Sequence, residues 1–131
     1  MDYSDHPFAD LIDMTYGETE EGGSVCLVPV SKKLMNPQKV VHGGVIYSMA
    51  DTGMGMALYP LLNTDEFCAT VEIKITYFAA VYDGEMRCDT TILKKGKRMA
   101  FMESTISAND TVIAKASGSF SIFKPSNVDK R

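Results

Sequence analysis

The stretch from Val41 to Leu58, VHGGVIYSMADTGMGMAL, decides the fold of this chain. After its glycine pair, Gly43 and Gly44, apolar residues lie on nearly every side of the predicted helix. A helix of that kind is buried rather than laid on a surface. Asp51 lies in the middle of the run, where a carboxylate is costly to bury unless it has a partner or a task. The sequence therefore predicts one long central helix with an acid in an apolar environment.

The start of this helix and its small residues are unusual for a segment that serves packing alone. His42 precedes the glycine pair, and the first N–H groups of a helix have no internal partner and carry the positive end of the helix dipole. Ala50, Gly53 and Ala57 follow helical spacing and form a flat stripe that suits a sheet or a second copy of the helix. Each residue alone has an ordinary structural interpretation, but together they indicate a functional segment.

Length, composition and charge exclude several classes of protein. The 131 residues predict one domain over residues 1–131, and the 45% apolar content is enough for a core. A net charge of -4 argues against a nucleic-acid binder. No apolar run is long enough to span a membrane, and the polar, acidic N-terminus does not resemble a signal peptide. We therefore expect a cytoplasmic protein with no nucleic-acid partner and no membrane association.

The cysteines and histidines predict neither a disulfide framework nor a metal site. The chain has three cysteines, Cys26, Cys68 and Cys88, and none lies within a CxxC motif. An odd number without motif spacing is typical of reduced thiols in a reducing compartment. With only two histidines, a zinc site is not expected. We expect no metal and no cofactor.

Most of the remaining chain is predicted to form strands. A short helix is expected in residues 7–14, capped by Asp5 or His6, with apolar residues at 8, 11 and 12. The predicted strands are residues 14–20, 24–30, 70–78, 85–93, 99–108 and 111–123. Pro60 marks the end of the central helix, and Asp83-Gly84, residues 95–97 and Asn109-Asp110 mark turns.

Alternating patterns in these strands predict which faces are buried. Val71, Ile73, Ile75 and Tyr77 alternate with polar residues, so that one face meets a core. In the last strand the predicted inner face combines small residues, which leave room for a helix, with larger apolar ones: Val112, Ala114, Ala116, Gly118, Phe120 and Ile122. The fold class that buries both elements is α+β, a curved antiparallel sheet wrapped around one long helix. Open sheet edges predict self-association.

Five segments together resemble the hotdog-fold acyl-CoA thioesterases, closest to the phenylacetyl-CoA thioesterase-like branch. They are Asn36, residues 42–44, residues 50–52, residues 70–77 and residues 96–98. Asn36 lies six residues before His42, and Asp51 nine residues after it, as in that branch. The resemblance covers about residues 10–123. It implies a hotdog fold and hydrolysis of an acyl-CoA with an aryl-acetyl, aryl or medium-chain acyl group.

The resemblance also implies a role for individual residues. Asp51 would be the catalytic carboxylate, as general base on water or as nucleophile, with Thr70 near it. Gly43 would offer its N–H to the thioester carbonyl, with Gly44 beside it, and His42 and Asn36 would shape that end of the site. The family builds its site at a dimer interface, so that Gly43 of one subunit faces Asp51 of the other. A homodimer at minimum, and a homotetramer, is expected.

The chemistry of thioester hydrolysis is compatible with these residue types. Negative charge develops on the carbonyl oxygen, and a helix N-terminus is a ready donor for it. Thiolate is a good leaving group, so a carboxylate can suffice, and the chain lacks the Gly-x-Ser-x-Gly elbow of α/β-hydrolases. The basic turn of Lys95, Gly96, Lys97 and Arg98 is the candidate contact for the coenzyme A phosphates, although such a run is more often a solvated hairpin tip.

Two other functions remain open at this point. A hotdog hydratase or dehydratase would pair a histidine with a helix acid for proton transfer, but His42 is followed directly by two glycines and lacks the surrounding pattern of those enzymes. A non-catalytic acyl-CoA-binding protein could dispense with Asp51. The acyl group, and the choice between coenzyme A and acyl-carrier-protein thioesters, also stay open.

Overall fold

The computed structural model describes residues 5–125, which form two α-helices, two 3-10 turns and six strands. The 3-10 turns are Lys32–Leu34 and Tyr59–Leu61. The helices and strands, in chain order, are α1 (Pro7–Leu11), β1 (Thr15–Tyr16), β2 (Gly23–Pro29), α2 (Gly43–Leu58), β3 (Phe67–Tyr77), β4 (Glu85–Lys95), β5 (Met99–Ala108) and β6 (Thr111–Phe123).

The six strands form one antiparallel sheet in the order β1-β2-β4-β5-β6-β3. The long helix α2 packs against β2, β3, β4, β5 and β6. Between helix and sheet lies the core, whose largest buried side chains include Met49, Met54, Leu58, Met86, Met102 and Ile106. This is the predicted α+β architecture, and it leaves β3 as one edge of the sheet.

Helix α2 begins and ends where its sequence predicts. The Nδ1 atom of His42 accepts a hydrogen bond of 2.7 Å from the N–H of Gly44 and so caps the first turn. Pro60 lies in the 3-10 turn that follows the helix. The small-residue stripe packs on the sheet, because a Cβ added to Gly53 would lie 2.7 Å from Thr90 Oγ1. Of the two predicted partners for the stripe, the structure therefore shows the sheet.

Two β-bulges change the predicted buried faces of β3 and β6. The register of β3 against β6 shifts between Thr70 and Glu72, so Val71 is 59% exposed rather than buried. The register of β5 against β6 shifts between Ile106 and Ser107, and Val112 is 46% exposed. The prediction for Val71 was wrong because Val71 is itself the extra, unpaired residue of the bulge, whereas Ile73 and Ile75 beyond it are partly buried as predicted. The prediction for Val112 was wrong because the extra residue reverses the alternation on its side of the bulge.

The N-terminal helix is shorter than predicted and buries a different face. It ends at Leu11, before Asp13 adopts a left-handed φ of 59°. Phe8 and Leu11 are exposed, whereas Ala9 and Ile12 are buried. The predicted strand over residues 14–20 is only the two-residue β1. His6 is the cap, because its Nδ1 accepts from the N–H of Ala9 at 3.1 Å.

Candidate active site

Asp51 and Thr70 form a hydrogen-bonded pair between α2 and β3. The Thr70 hydroxyl donates to Asp51 Oδ1 at 2.6 Å. Asp51 is half-buried and paired with a polar side chain, so the prediction of an acid in an apolar environment was wrong. The reason lies in the helix geometry, because Asp51 is one residue, or about 100°, around the helix from the sheet-facing Ala50. One carboxylate oxygen is thus held by Thr70 while the group stays accessible.

A cavity of about 360 Å³ opens beside this pair. Its polar lining near the acid comes from Ser48, Asp51, Thr52 and Thr70. The lining from α2, its following turn and the sheet is largely apolar: Gly55, Met56, Tyr59, Cys68 and Phe120. The segment before and within α1 forms a further wall with Asp5, His6 and Phe8. A carboxylate that lines a cavity with apolar walls is suited to act on a molecule with an apolar tail.

The N-terminus of α2 presents a second group of interest. The hydroxyl of Tyr77 donates to the carbonyl oxygen of Gly43 at 2.7 Å. Within residues 5–125, no partner accepts a hydrogen bond from the Gly43 N–H, whereas the Gly44 N–H is engaged by His42. Space for a side chain at position 43 is tight, because an added Cβ would lie 3.2 Å from the ring and hydroxyl of Tyr77 and would need a shift of a few tenths of an ångström. Gly43 lines a separate cavity with Tyr77 and Phe78.

Asn36 and His42 hold the loop that leads into α2. The side-chain oxygen of Asn36 accepts from the N–H groups of Gln38 at 2.9 Å and Val40 at 3.4 Å. The backbone N–H of His42 donates to the Leu34 carbonyl at 2.8 Å. Because His42 Nδ1 accepts a hydrogen bond, its neutral ring carries the proton on Nε2. The visible contacts of both side chains shape the loop, and Asn36 lines a third cavity, of about 780 Å³.

A single protomer therefore brings together only part of the predicted site. Asp51 and Thr70 meet, but Gly43 lies eight residues before Asp51 on the same helix. That separation is about 12 Å along the helix axis. Gly43 and Asn36 line two other cavities, and neither lines the cavity of Asp51. One carbonyl group could not contact both the Asp51 carboxylate and the Gly43 N–H of the same chain.

The basic turn joins β4 to β5 at a distance from Asp51. Lys95 pairs across the sheet with Ala100, Ala100 with Phe120, and Phe120 with Thr70. Three strand spacings, roughly 14 Å, thus separate Lys95 from Thr70. Within the turn, the Gly96 N–H donates to the Met99 carbonyl at 2.7 Å. In the part of the chain that the structure describes, Lys95, Lys97 and Arg98 form no salt bridge, so their charges are available to an anion.

Sequence reasoning missed the contribution of the N-terminal segment to the cavity. Asp5, His6 and Phe8 line the same space as Asp51. No local pattern predicts this, because α1 meets α2 only through the tertiary fold.

Two absences hold for the part of the chain that the structure covers. Neither helix within residues 5–125 combines the length and apolarity needed to cross a bilayer. In the same range, no group of three or more His, Cys, Asp or Glu side chains is arranged to hold a metal ion.

Comparison with known proteins identifies the family. The thioesterase superfamily model matches residues 38–115, which contain α2, β3, β4 and β5, and the chain belongs to that family. A protein from Archaeoglobus fulgidus, named as a candidate esterase, is 31% identical over 119 residues, which are 88% of this chain and 75% of the relative.

Solved structures share the same fold. Conserved protein PA5202 from Pseudomonas aeruginosa is 30% identical, with a TM-score of 0.86 over 90% of this chain and 94% of that one. Thioesterase HI1161 from Haemophilus influenzae has a TM-score of 0.85 at 18% identity, over 89% of this chain and 82% of that one. The fold is therefore the hotdog fold that the sequence resemblance implied.

Cys68 is the one described cysteine that lines the cavity of Asp51, and we expect it to take no part in the chemistry. Burial, reinforced by the nearby Asp51 charge against an opposing hydrogen bond from Tyr59, raises the pKa of Cys68 to about 11. The thiol is therefore protonated at neutral pH, with roughly one thiolate in ten thousand. Cys68→Ser is expected to keep kcat within about threefold of wild type in a thioester hydrolysis assay. A loss as large as that of an Asp51 variant would show that the thiol takes part.

Proposed function

We propose that this protein hydrolyses acyl-CoA thioesters to the free acid and coenzyme A, in a site shared between two protomers. The observation that carries the proposal is the arrangement on α2. The Asp51–Thr70 pair at the middle of α2 lines a cavity, and the N–H donor of Gly43 lies at the N-terminus of the same helix. Each half is incomplete alone, and a second copy supplies the other half.

In this proposal Asp51 is the catalytic carboxylate. Thr70 holds Oδ1, which leaves Oδ2 to accept a proton from a water molecule that attacks the thioester carbon, or to attack that carbon itself. When water attacks, the carbon–sulfur bond breaks, the acyl group leaves as its acid, and the proton on Oδ2 passes to the coenzyme A thiolate. When Asp51 attacks, the same bond breaks to leave a mixed anhydride on Asp51, which a water molecule hydrolyses to release the acid and restore the carboxylate. A carboxylate of this kind needs no serine nucleophile, because the thiolate is a good leaving group.

The donor for the developing oxyanion is the Gly43 N–H of the other subunit. Strand β3 lies at the edge of the sheet, and within residues 5–125 no other strand pairs with its outer side. The Tyr59 hydroxyl bonds the Cys68 backbone groups, and the rest of this edge suits antiparallel pairing with a second β3. Such pairing sets the two α2 helices side by side in opposite directions, so that Gly43 of one approaches Asp51 of the partner subunit. His42, with its proton on Nε2, Asn36 and Gly44 flank that end.

The remaining parts of the proposal concern the nucleotide and the assembly. Lys95, Lys97 and Arg98, with the close backbone of Gly96, bind the coenzyme A phosphates, since these charges have no carboxylate partner within residues 5–125. The assembly is a homodimer at minimum, with two dimers joined as a tetramer, in the cytoplasm. The acyl group is aryl-acetyl, aryl or medium-chain, as the 360 Å³ cavity accommodates.

Thr70 tests how Asp51 is held. Thr70→Val keeps the side-chain shape but removes the hydroxyl that donates to Asp51 at 2.6 Å. We expect kcat to fall about tenfold, because the half-exposed carboxylate loses a charge-assisted hydrogen bond and its fixed orientation. Thr70→Ser restores the donor and is expected to stay within about twofold of wild type. Steady-state kcat and KM measure the effect, and the thermal midpoint checks that each variant is folded. Equal kcat values for Thr70→Val and wild type would show that Thr70 takes no part in the mechanism.

Release of free coenzyme A thiol from a panel of acyl-CoAs tests the proposed function. The panel contains acetyl, hexanoyl, palmitoyl, phenylacetyl and benzoyl thioesters, with the same acyl groups on an acyl carrier protein. Turnover of the coenzyme A thioesters is expected. If the folded protein releases no thiol from any member of the panel but binds acyl-CoA tightly, the result would favour a non-catalytic acyl-CoA-binding protein. Loss of the enoyl absorbance of crotonyl-CoA without thiol release would favour a hydratase.

A further inference from the structure

His6 lines the cavity of Asp51 from a different part of the chain. It precedes α1, whereas Asp51 and Thr70 lie on α2 and β3, yet all three face the same space. Phe8, the second residue of α1 and 49% exposed, lines it as well. The half-buried imidazole thus adds a polar group to a wall that Phe8 and the carboxylate of Asp5 also line.

The hydrogen bond to Ala9 fixes the proton on this ring. The Ala9 N–H donates to His6 Nδ1 at 3.1 Å, so Nδ1 must be unprotonated. A neutral imidazole with a bare Nδ1 carries its proton on Nε2. His6 is therefore a donor at Nε2, and the cap of α1 holds the ring in one orientation. A fixed donor on a cavity wall discriminates between ligands more strongly than a freely rotating one.

We propose that His6 determines substrate specificity: its Nε2–H donates to an oxygen at the far end of the acyl group whose thioester lies at Asp51. Acyl groups with a neutral distal oxygen, above all a hydroxyl, are preferred over alkyl groups of the same size. A hydroxyl can accept from His6 and donate to the carboxylate of Asp5, which lines the same cavity. A distal carboxylate is disfavoured, because Asp5 and Asp51 both repel it. This inference rests on the proposed thioesterase function and names its substrate class.

The test compares acyl-CoA pairs in which a hydroxyl replaces a methyl group. The pairs are 6-hydroxyhexanoyl with heptanoyl, and (4-hydroxyphenyl)acetyl with (4-methylphenyl)acetyl, so that two lengths of acyl group are covered. For wild type we expect kcat/KM to favour the hydroxyl member of at least one pair by about five- to tenfold, the size of one hydrogen bond to a neutral group.

Two variants separate the donor from the helix cap. In His6→Asn the side-chain oxygen stands where Nδ1 stood and can still accept from the Ala9 N–H, but the group at the Nε2 position is gone. In His6→Gln the amide nitrogen reaches the Nε2 position, while the cap is lost. We expect the Asn variant to bring the pair ratio close to one at an unchanged thermal midpoint. The Gln variant is expected to keep most of the ratio while its midpoint falls by a few degrees.

The outcomes distinguish this inference from the function on which it rests. Turnover of both members with the same ratio in wild type and His6→Asn overturns the role of His6 and leaves the thioesterase intact. A ratio lost in the Gln variant as fully as in the Asn variant also overturns it, since the donor position would then not matter. Absence of turnover on every pair and on the wider panel overturns the thioesterase function, and the role of His6 with it.

Discussion

Asp51→Asn is expected to lower kcat for thioester hydrolysis by about 100- to 10,000-fold, the usual contribution of a general base. The amide has the shape of the carboxylate, and its oxygen can still accept from the Thr70 hydroxyl, so the side chain should keep its place. It cannot take a proton from water or attack the thioester carbon. Because only the chemistry is removed, KM and the oligomeric state should change little. Steady-state release of coenzyme A thiol measures the effect.

A matched control removes a carboxylate elsewhere on the surface. Asp89 lies on β4 and forms a salt bridge of 2.9 Å with Arg87, away from the cavity of Asp51. Asp89→Asn makes the same chemical change and is expected to leave kcat within about twofold, since exposed ion pairs contribute little. If Asp51→Asn were as active as Asp89→Asn, the assigned role of Asp51 would be wrong, and the function would need a different catalytic group.

Gly43→Val is expected to lower kcat by about 100- to 1,000-fold, the range seen when one oxyanion donor is lost. A Cβ at this position lies 3.2 Å from the Tyr77 ring and hydroxyl, so either the ring or the start of α2 must move. The Tyr77 hydroxyl also holds the Gly43 carbonyl at 2.7 Å, and the same movement would displace the N–H from its direction. The branched side chain adds bulk directly beside that N–H.

The size of the substituent provides the control for Gly43. Gly43→Ala adds only the Cβ and is expected to lose less activity than Gly43→Val, with both proteins folded by circular dichroism and thermal midpoint. A graded loss in kcat with a smaller change in KM is the signature of a contact made in the transition state. Wild-type activity in Gly43→Val would show that this N–H does not serve the reaction.

The sequence predicted well those helices and strands whose hydrophobic pattern runs without interruption between clear end signals. Helix α2 is Gly43–Leu58, bounded by the glycine pair and by Pro60, and β5 and β6 have the predicted limits. Bulges were not predictable, because one extra residue at Val71 changes the register without changing the composition of the strand. The exposure of Asp51 depends on which flank of α2 the sheet covers, which a single helix does not specify.

Some features of the candidate site could be predicted from the sequence, and others depend on the tertiary fold. Asp51 and Thr70 were expected together from the family resemblance, and the structure places their oxygens 2.6 Å apart. His6 was predicted only as one of two helix caps, because its position on the cavity wall results from packing between segments far apart in the chain. The separation of Gly43 from Asp51 could be read from their spacing on the helix, and the proposal of a site shared between two subunits rests on it.

Mixing two inactive variants tests the shared site most directly. Asp51→Asn and Gly43→Val are unfolded together, refolded at equal concentration and assayed for coenzyme A thiol release. Random pairing makes half of the dimers mixed, and each mixed dimer has one site with both groups intact, so about a quarter of the wild-type rate should return. The Asp51→Asn variant mixed with the double variant should stay inactive. No recovery, with mixed dimers present by native mass spectrometry, would contradict a site built from Gly43 of one subunit and Asp51 of the other.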